Sequence, residues 1–267
     1  MPHLSVNGRK LYYEEHGSGP QTIVFAHGLL WSGRMFQAQV EALKNRYRCI
    51  TFDFPGQGQS ELARDGYDMD TLAADAATLI KQLNATPCHF AGLSMGGFVA
   101  MRMGIRYPEL VRSLILMETS ADPEPPENIP KYKMLSFISR WISVRLIAGK
   151  TMQIMFGQTF LNDPARREQR ERWRGYLIAN NQTGIGRALI GVIERKGVYE
   201  QLGSIKCPTL VIVGEQDVAT VPAKAERIAA AIPGAKLVRI PNAGHTSTVE
   251  EPGAVTKAIE EFLSSAG

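Results

Sequence analysis

The stretch GLSMGG, from Gly92 to Gly97, sets one hydroxyl group among three glycines. An apolar, strand-like run at residues 88–91 precedes it, and an apolar, helix-like run at residues 98–101 follows it. The stretch therefore predicts a sharp, strained strand-to-helix turn, in which side chains at the flanking positions would clash with neighbouring backbone. Glycine at 92 and 96 removes that clash. The pattern G-x-S-x-G in this context is typical of a turn that exposes a nucleophilic serine, so we predict Ser94 as a nucleophile.

A serine hydroxyl is a poor nucleophile until a base removes its proton, and an acid must orient that base. Where the serine lies on such a turn, the acid and then the histidine follow it along the chain. His245 is the only histidine after Ser94, and it follows the last strand-like run. A loop at the carboxyl end of a strand can reach a site at that edge of the sheet. We therefore predict His245 as the base.

The predicted acid is Asp217, which ends the segment of residues 213–217 just past another strand-like run. Glu215 and Asp122 are the competing acids, since Glu215 lies in the same segment and Asp122 follows an earlier strand-like run. In the alternative interpretation Asp217 only caps the helix predicted after it.

A tetrahedral intermediate needs hydrogen-bond donors for its oxyanion. We predict the backbone N–H of Met95, directly after Ser94, as one donor. The second donor is expected in the loop after an early strand, here residues 25–30. Within that loop we predict the Leu29 N–H, with the Leu30 N–H as the alternative.

Two further features lie near the predicted site. His27 is interpreted as a hydrogen-bonding brace of the oxyanion loop rather than as a base, and Gly28 permits the bend of that loop. The segment from Asp53 to Ser60 reads DFPGQGQS. Asp53 resembles a catalytic acid in isolation, but we interpret the segment as a turn braced by Asp53 and Ser60.

Short apolar runs rich in β-branched and aromatic residues alternate with helical patterns along the chain. The runs cover residues 11–15, 22–26, 48–52, 88–91, 113–117, 209–213 and 236–240. One helical pattern is expected to begin at a cap formed by Asp70, and others cover residues 222–232 and 253–263. This alternation predicts the α/β class, with a doubly wound, mostly parallel sheet.

The alternation stops after residue 120. Residues 121–130 read ADPEPPENIP, and residues 131–202 show helical periodicity with little strand signal. We predict a core formed by residues 1–120 and 204–267, interrupted by a helical cap or lid at residues 121–203. A connection of that length is usually a lid or a binding element.

The predicted cap supplies candidate substrate-binding residues. Met134, Phe137, Trp141 and Met155 belong to its apolar runs, and Leu30 and Trp31 lie beside the oxyanion loop. One interpretation is an adaptable apolar pocket for an acyl or aryl group. In the other, most of these side chains simply attach the cap to the core.

The charge of the chain is uneven. Its net charge is +4, but residues 121–203 hold 13 Lys/Arg and 8 Asp/Glu, whereas the remainder holds 17 and 18. This local excess either attracts an anionic substrate or belongs to a solvated helical face.

Bulk composition narrows the class of protein further. The 267 residues are 44% hydrophobic and 21% charged, which is ordinary for a globular protein with a core. We expect no signal peptide and no membrane span. Cys49, Cys88 and Cys207 lie in or beside apolar runs without metal-ligand spacing, so we interpret them as buried small hydrophobes in a reducing, cytoplasmic compartment.

The chain resembles the α/β-hydrolase superfamily over essentially its whole length. The resemblance is carried by the His27-Gly28 loop, the Asp53–Ser60 turn, the Gly92–Gly97 stretch, residues 214–217 and the Ala243-Gly244-His245 loop. It is most similar to bacterial 3-oxoadipate enol-lactonases and small arylesterases. The resemblance implies a serine hydrolase with a helical cap and with neither cofactor nor metal. It also implies a small-molecule ester or lactone substrate. We expect a monomer or homodimer, and the lack of a basic groove motif or stacking array argues against a nucleic-acid partner.

Two other functions remain open on the sequence. Cleavage of a carbon–carbon bond in a vinylogous diketone would use the same three side chains, although Leu29-Leu30-Trp31 departs from the further glycines usual in those hydrolases. A ligand-sensing relative would retain the site and signal to a partner protein. Dehalogenase and epoxide-hydrolase relatives are disfavoured, because they carry aspartate where Ser94 stands.

Overall fold

The computed structural model describes residues 2–138 and 143–266. Its core is an eight-stranded sheet in the order β1-β2-β4-β3-β5-β6-β7-β8. The strands are β1 (His3–Val6), β2 (Arg9–His16), β3 (Thr22–Ala26), β4 (Arg48–Phe52), β5 (Cys88–Leu93), β6 (Val111–Met117), β7 (Thr209–Gly214) and β8 (Lys236–Ile240). The pairs β1/β2 and β2/β4 are antiparallel and the other pairs are parallel, which confirms the predicted mostly parallel sheet.

Helices cover both faces of this sheet. They are α1 (Gln37–Leu43), α2 (Met69–Gln82), α3 (Met95–Arg106), α4 (Ile129–Ile138), α5 (Val144–Met155), α6 (Gln158–Asn162), α7 (Arg167–Ala179), α8 (Gln182–Ile193), α9 (Pro222–Ala231), α10 (Ser247–Glu250) and α11 (Pro252–Ala266). Within the described residues, no helix combines the length and the apolar character needed to cross a membrane.

The alternation of side chains along β3 divides the core into two layers. Val24 belongs to one apolar cluster with residues of α2, α3 and α9, whereas Ile23 and Phe25 belong to a second cluster with residues of α1 and α11. All five residues of β3 are buried, as expected of a strand that is covered on both faces.

The segment between β6 and β7 is helical. Residues 121–203, called the inserted segment below, contain α4 to α8, and the part of this segment that the structure describes has no strand. Phe156, Phe160 and Trp173 of the inserted segment belong to the same apolar cluster as Phe25 of the sheet. The division into core and cap at residues 121 and 203 stays a prediction.

One local expectation is wrong. The side chain that caps α2 is Asp68, which has an extended backbone and accepts a hydrogen bond from the Thr71 N–H. Asp70 lies two residues after this cap, within the first turn of α2, and instead forms ion pairs with Arg102 and Arg106.

The cysteine interpretation is confirmed in part. Cys49 and Cys88 are fully buried, and burial raises the pKa of each thiol to about 12. Cys207 is half-buried.

Candidate active site

Ser94 occupies the turn between β5 and α3 with a backbone φ of 54°, in the left-handed region that a residue with a side chain adopts at a cost in strain. The glycines around it are required by close backbone packing. A Cβ at Gly92 would lie 2.2 Å from the Gly96 carbonyl oxygen, and a Cβ at Gly96 would lie 2.0 Å from the Ala26 carbonyl oxygen. The local sequence therefore folds as predicted and lifts Ser94 to the carboxyl edge of the sheet.

The structure brings Ser94, His245 and Asp217 together, although they lie on three separate loops. His245 Nε2 lies 2.9 Å from Ser94 Oγ, and His245 Nδ1 lies 2.9 Å from Asp217 Oδ2. Because the Asp217 carboxylate can only accept, Nδ1 carries the proton in the neutral imidazole. Nε2 is then the acceptor that faces the serine hydroxyl.

Asp217 is held as a carboxylate by several donors. Its Oδ1 accepts from the N–H groups of Ala219 and Thr220 at 2.8 and 3.0 Å, and its Oδ2 accepts from the Thr220 hydroxyl at 2.7 Å. Burial by itself would raise the pKa of Asp217, but the adjacent His245 and the Thr220 donors bring that pKa below its usual value.

The competing acids are engaged elsewhere. Asp122 forms ion pairs with Lys224 at 2.6 Å and with Arg227 at 3.4 Å. Glu215 is exposed. Among the described residues, only Asp217 places a carboxylate within hydrogen-bonding distance of His245.

The predicted oxyanion loop lies against Ser94. A Cβ at Gly28 would lie 3.4 Å from the Cβ of Ser94. The Leu30 N–H donates to Gln57 Oε1 at 3.0 Å and is therefore occupied. No partner is recorded for the Leu29 N–H within residues 2–138 and 143–266, so the geometry favours Leu29 over Leu30 as the donor.

His27 acts as a brace of this loop. Its Nε2 accepts from the Phe54 N–H at 2.9 Å, so Nδ1 carries the proton and donates to the Gly28 carbonyl at 2.7 Å. His27 is fully buried, and that burial lowers the pKa of its imidazole. The neutral ring links the oxyanion loop to the segment after β4.

The turn after β4 is braced as expected. Asp53 accepts from the N–H groups of Gly33 and Gln59 at 2.7 and 2.8 Å, and the Ser60 hydroxyl donates to the Asp53 carbonyl at 2.5 Å. Asp53 thus organises backbone around the oxyanion loop and is not a partner of His245.

A cavity of about 360 Å³ opens onto Ser94 and His245. Its walls come from both the sheet edge and the inserted segment, and most of its lining side chains are apolar. The apolar lining includes Leu29, Leu30, Phe98, Val144, Ile147, Ile154, Met155, Leu177, Ile185, Leu189, Val192 and Ile193.

The six predicted substrate-binding residues differ in whether they line this cavity. Leu30 and Met155 line the cavity. Met134 and Phe137 do not line it: they are 55% and 59% exposed, because their face of α4 points to solvent. Trp141 lies outside the described residues.

Trp31 also differs from expectation. It is buried, packs edge-on against Phe156 and Trp173, and lines a separate cavity of about 140 Å³. Its indole therefore attaches the inserted segment to the core, which was the alternative interpretation.

Sequence reasoning missed Glu250. This fully buried carboxylate accepts from the N–H groups of Gly157 and Gly244 through Oε2, at 2.7 and 3.0 Å, and from that of Thr246 through Oε1, at 3.0 Å. It ties the loop that carries His245 to the inserted segment. Burial raises the pKa of Glu250, while the three N–H groups counteract that effect. Nothing in the sequence near Glu250 distinguishes it from an exposed helical acid.

Gln57 and Asn180 were missed as well. Gln57 is buried within the turn that was singled out, and Asn180 follows α7, next to the Asn181 that caps α8. Their positions in a turn and between helices are visible in the sequence, whereas their contact with the oxyanion loop depends on tertiary packing.

Comparisons with known proteins agree with this fold. A family model described as the alpha/beta hydrolase fold matches residues 21–252. BpoC of Mycobacterium tuberculosis (strain H37Rv), named for a non-heme bromoperoxidase, is 30% identical over 259 residues, covering 96% of this chain and 98% of that protein.

Two solved structures are similar over nearly the whole chain. A thermophilic esterase from Thermogutta terrifontis has a TM-score of 0.91 and 31% identity, covering 99% of this chain and 98% of that one. The enol-lactonase from Burkholderia xenovorans LB400 has a TM-score of 0.91 and 26% identity, covering 98% and 100%.

The fold and the matches define the class as a hydrolase built on a doubly wound sheet. The chain belongs to the α/β-hydrolase family. The predicted resemblance to enol-lactonases and esterases is confirmed at the level of family and fold.

Proposed function

We propose that this protein is a serine hydrolase that cleaves small carboxylic esters or lactones through an acyl-enzyme intermediate. The observation that carries the proposal is the chain of hydrogen bonds from Ser94 to His245 to Asp217, with both links at 2.9 Å, at the floor of an apolar cavity. A nucleophile, a base and an orienting acid in this order are the elements that acyl transfer requires.

In the acylation step, Ser94 Oγ attacks the carbonyl carbon while His245 Nε2 takes the hydroxyl proton. Asp217 holds the imidazole in the required tautomer and stabilises the imidazolium that forms. The N–H groups of Met95 and Leu29 hold the oxyanion, and each such donor is worth roughly 3–4 kcal/mol in the transition state. His245 then donates its proton to the departing alkoxide.

In the deacylation step, His245 removes a proton from water, which attacks the acyl carbon. The second tetrahedral intermediate collapses, the proton returns to Ser94 Oγ, and the carboxylic acid departs. The inserted segment acts as the predicted cap, because its side chains form the wall of the cavity opposite Ser94.

The cavity favours an uncharged substrate. Among the described residues, the cationic side chains that line it are each paired with an acid: Arg195 with Glu124 at 3.0 Å, and Lys224 with Asp122 at 2.6 Å. The local charges therefore compensate each other, and the remaining lining is mostly apolar. This supports the solvated-face interpretation of the basic inserted segment over attraction of an anionic substrate.

Hydrolysis of p-nitrophenyl esters from acetate to octanoate tests the proposal, with γ-butyrolactone and an enol-lactone alongside, on the wild type and on Ser94→Ala. We expect turnover that the substitution reduces by at least about 10³-fold. Absence of turnover on every substrate, from folded protein, would sink the ester and lactone proposal. If a vinylogous diketone, assayed in the same way, were the only substrate turned over, the activity would be carbon–carbon bond cleavage instead.

The likeness to BpoC supports a second activity at the same site. Hydrogen peroxide in place of water would release the acyl group as a peracid, which then oxidises bromide and returns to the carboxylic acid. Bromination of monochlorodimedone in the presence of an ester, hydrogen peroxide and bromide measures this activity. It should vanish in Ser94→Ala, and bromination that survives this substitution contradicts the assignment.

A further inference from the structure

The oxyanion loop contains a strained turn. The Trp31 N–H donates to the Gly28 carbonyl at 3.2 Å, which makes Leu29 and Leu30 the two central residues of a tight turn. Leu30 has a φ of 75°, in the left-handed region, as the third residue of a type II turn requires. A leucine adopts this region only where surrounding contacts hold it there.

Gln57 holds one side of this turn. Its Oε1 accepts from the Leu30 N–H at 3.0 Å, and its side chain is almost completely buried. The N–H of Leu30 belongs to the central peptide of the turn, which points in opposite directions in type I and type II turns. An acceptor fixed at this position therefore selects the type II form.

Asn180 holds the other side, and it comes from the inserted segment. Its Nδ2 donates to the Leu30 carbonyl at 2.8 Å and also lies 3.3 Å from the Leu177 carbonyl. Both Leu30 and Asn180 line the 360 Å³ cavity as well as the 140 Å³ cavity. This hydrogen bond thus forms part of the wall between the two cavities.

We propose that Gln57 and Asn180 are positioning residues for the oxyanion hole. Through Asn180, the shape of the oxyanion hole depends on how the inserted segment packs on the core. The inference rests on the proposed function, because it concerns the donor Leu29 N–H. With both peptide groups of Leu30 held by amide side chains, the turn presents that N–H beside Ser94 without rearrangement during the reaction. Preorganised donors of this kind stabilise the transition state more than the bound substrate.

Four substitutions separate this role from a structural one. Gln57→Leu removes the acceptor for the Leu30 N–H, and Gln57→Glu restores an oxygen acceptor. Asn180→Asp keeps the shape of the side chain but turns an acceptor towards the Leu30 carbonyl. Asn181→Ala is the matched control, because the adjacent Asn181 caps α8 through the Gly184 N–H and is expected to affect stability alone.

With p-nitrophenyl butyrate we expect kcat to fall by about 10- to 50-fold in Gln57→Leu and Asn180→Asp, with KM within about 3-fold of the wild type. Gln57→Glu should recover most of the kcat that Gln57→Leu loses. Asn181→Ala should lower Tm and leave kcat within about 2-fold. An aryl trifluoromethyl ketone, which forms a hemiketal oxyanion on a serine, should bind more weakly in proportion to the fall in kcat.

The possible outcomes separate a failure of this inference from a failure of the proposed function. An active wild type with unchanged kcat in both Gln57→Leu and Asn180→Asp overturns the inference alone. A lower kcat with unaltered trifluoromethyl ketone affinity overturns it too, because the loss then lies outside the oxyanion hole. A wild type that hydrolyses no ester, and whose Ser94 is not labelled by a fluorophosphonate, overturns the proposed function and this inference together.

Discussion

Two parts of the inserted segment meet the core in different ways. Residues 155–166, called the anchored segment, are joined to the loop of His245 by buried polar bonds. Helix α4 (Ile129–Ile138) turns a face with large apolar side chains to solvent. Both belong to the same predicted cap, so the comparison shows which part of it is built into the site.

The anchored segment is bound through its backbone. The Thr246 hydroxyl donates to the Met155 carbonyl at 2.6 Å, and the Gly157 N–H donates to Glu250 at 2.7 Å. The Thr159 N–H donates to Gln216 Oε1 at 2.9 Å. Buried backbone groups need hydrogen-bond partners, and here side chains from outside the inserted segment, Gln216, Thr246 and Glu250, supply them.

Helix α4 presents a contrast in chemistry. Its outward face carries the exposed Met134 and Phe137 together with the exposed Lys131 and Lys133. Tyr132, on the other side of the helix, lines the cavity. Side chains on the outward face contribute little to stability, since exposure leaves them little apolar area to bury.

The inserted segment is therefore not uniform in its contacts with the core. The anchored segment shares hydrogen bonds with the loop that carries His245, so changes there are expected to disturb the contact between His245 and Ser94. Changes on the outward face of α4 should not.

The largest expected effect is that of Gly244→Ala. A Cβ at Gly244 would lie 2.2 Å from the Gly157 backbone nitrogen, and neither chain can yield without breaking a bond to Glu250. We expect a loss of on the order of 3 kcal/mol in the free energy of unfolding and a large fall in kcat. Urea denaturation and ester hydrolysis measure the two effects.

The control is Gly149→Ala, in helix α5, where an added Cβ meets nothing within 4 Å. It should stabilise by about 0.5–1 kcal/mol, because alanine loses less backbone freedom than glycine in a helix. Equal effects from both substitutions would contradict the close packing at the anchored segment.

The next effect is that of Glu250→Gln. An amide offers one acceptor oxygen and turns an NH₂ group towards backbone N–H donors, so at least one buried donor loses its partner. We expect a loss of about 1–2.5 kcal/mol in the free energy of unfolding. The kcat should fall as well, because Gly244 and Thr246 flank His245.

Its matched control is Glu251→Gln, which removes only the half-buried ion pair between Glu251 and Arg166. That change should cost less than about 1 kcal/mol. A Glu250→Gln variant as stable as this control would mean that the three N–H contacts contribute nothing measurable.

The free energy of unfolding should also depend on pH, through a carboxyl group buried close to Glu250. Glu118, buried after β6 near Glu250 and Asp217, has a pKa that burial raises well above its usual value. Between the unfolded pKa and this raised pKa the native state keeps a proton that the unfolded state loses, so stability falls as pH rises, by up to about 1.4 kcal/mol per pH unit. Helix α4 has no acidic residue and makes no such contribution.

Glu118→Gln removes this titration and keeps an acceptor for the Gly214 N–H, which Glu118 Oε1 binds at 3.1 Å. The stability of the variant relative to the wild type should therefore increase between pH 5 and pH 7. Denaturation curves at several pH values measure it, and a constant difference would show that Glu118 is ionised in the native state.

The smallest effects belong to the outward face of α4. Met134→Ser and Phe137→Ser should each change the free energy of unfolding by less than about 0.5 kcal/mol, because both side chains are more than half exposed. KM for p-nitrophenyl esters should stay within about 2-fold. A clear rise in KM would indicate that Met134 and Phe137 contact the substrate, in contradiction to their position outside the cavity.

Much of the fold and of the site could be predicted from local sequence patterns. The strands buried on both faces are continuously apolar, and the turn at Ser94 needs glycine at fixed offsets, so both are readable in one pass. Chain order then restricts the base to His245. Asp217, Glu215 and Asp122 all follow strands that end at this sheet edge, so only the contact with His245 separates Asp217 from its competitors.

Other features could not be read locally. The choice between Asp68 and Asp70 as the cap of α2 depends on a backbone angle that two nearby aspartates do not reveal. Likewise, Met134 and Met155 both lie in apolar helical runs, and only packing decides that Met155 faces the cavity.

The sequence by itself determined the class of the sheet, the strained turn and the three side chains that meet above it, because glycine offsets, apolar runs and chain order are local or one-dimensional properties. The tertiary structure alone decided how Gln57, Asn180 and Glu250 hold the loops around them. Each makes contacts with residues distant in the chain, and the burial that gives those contacts their strength exists only after the inserted segment has packed on the core.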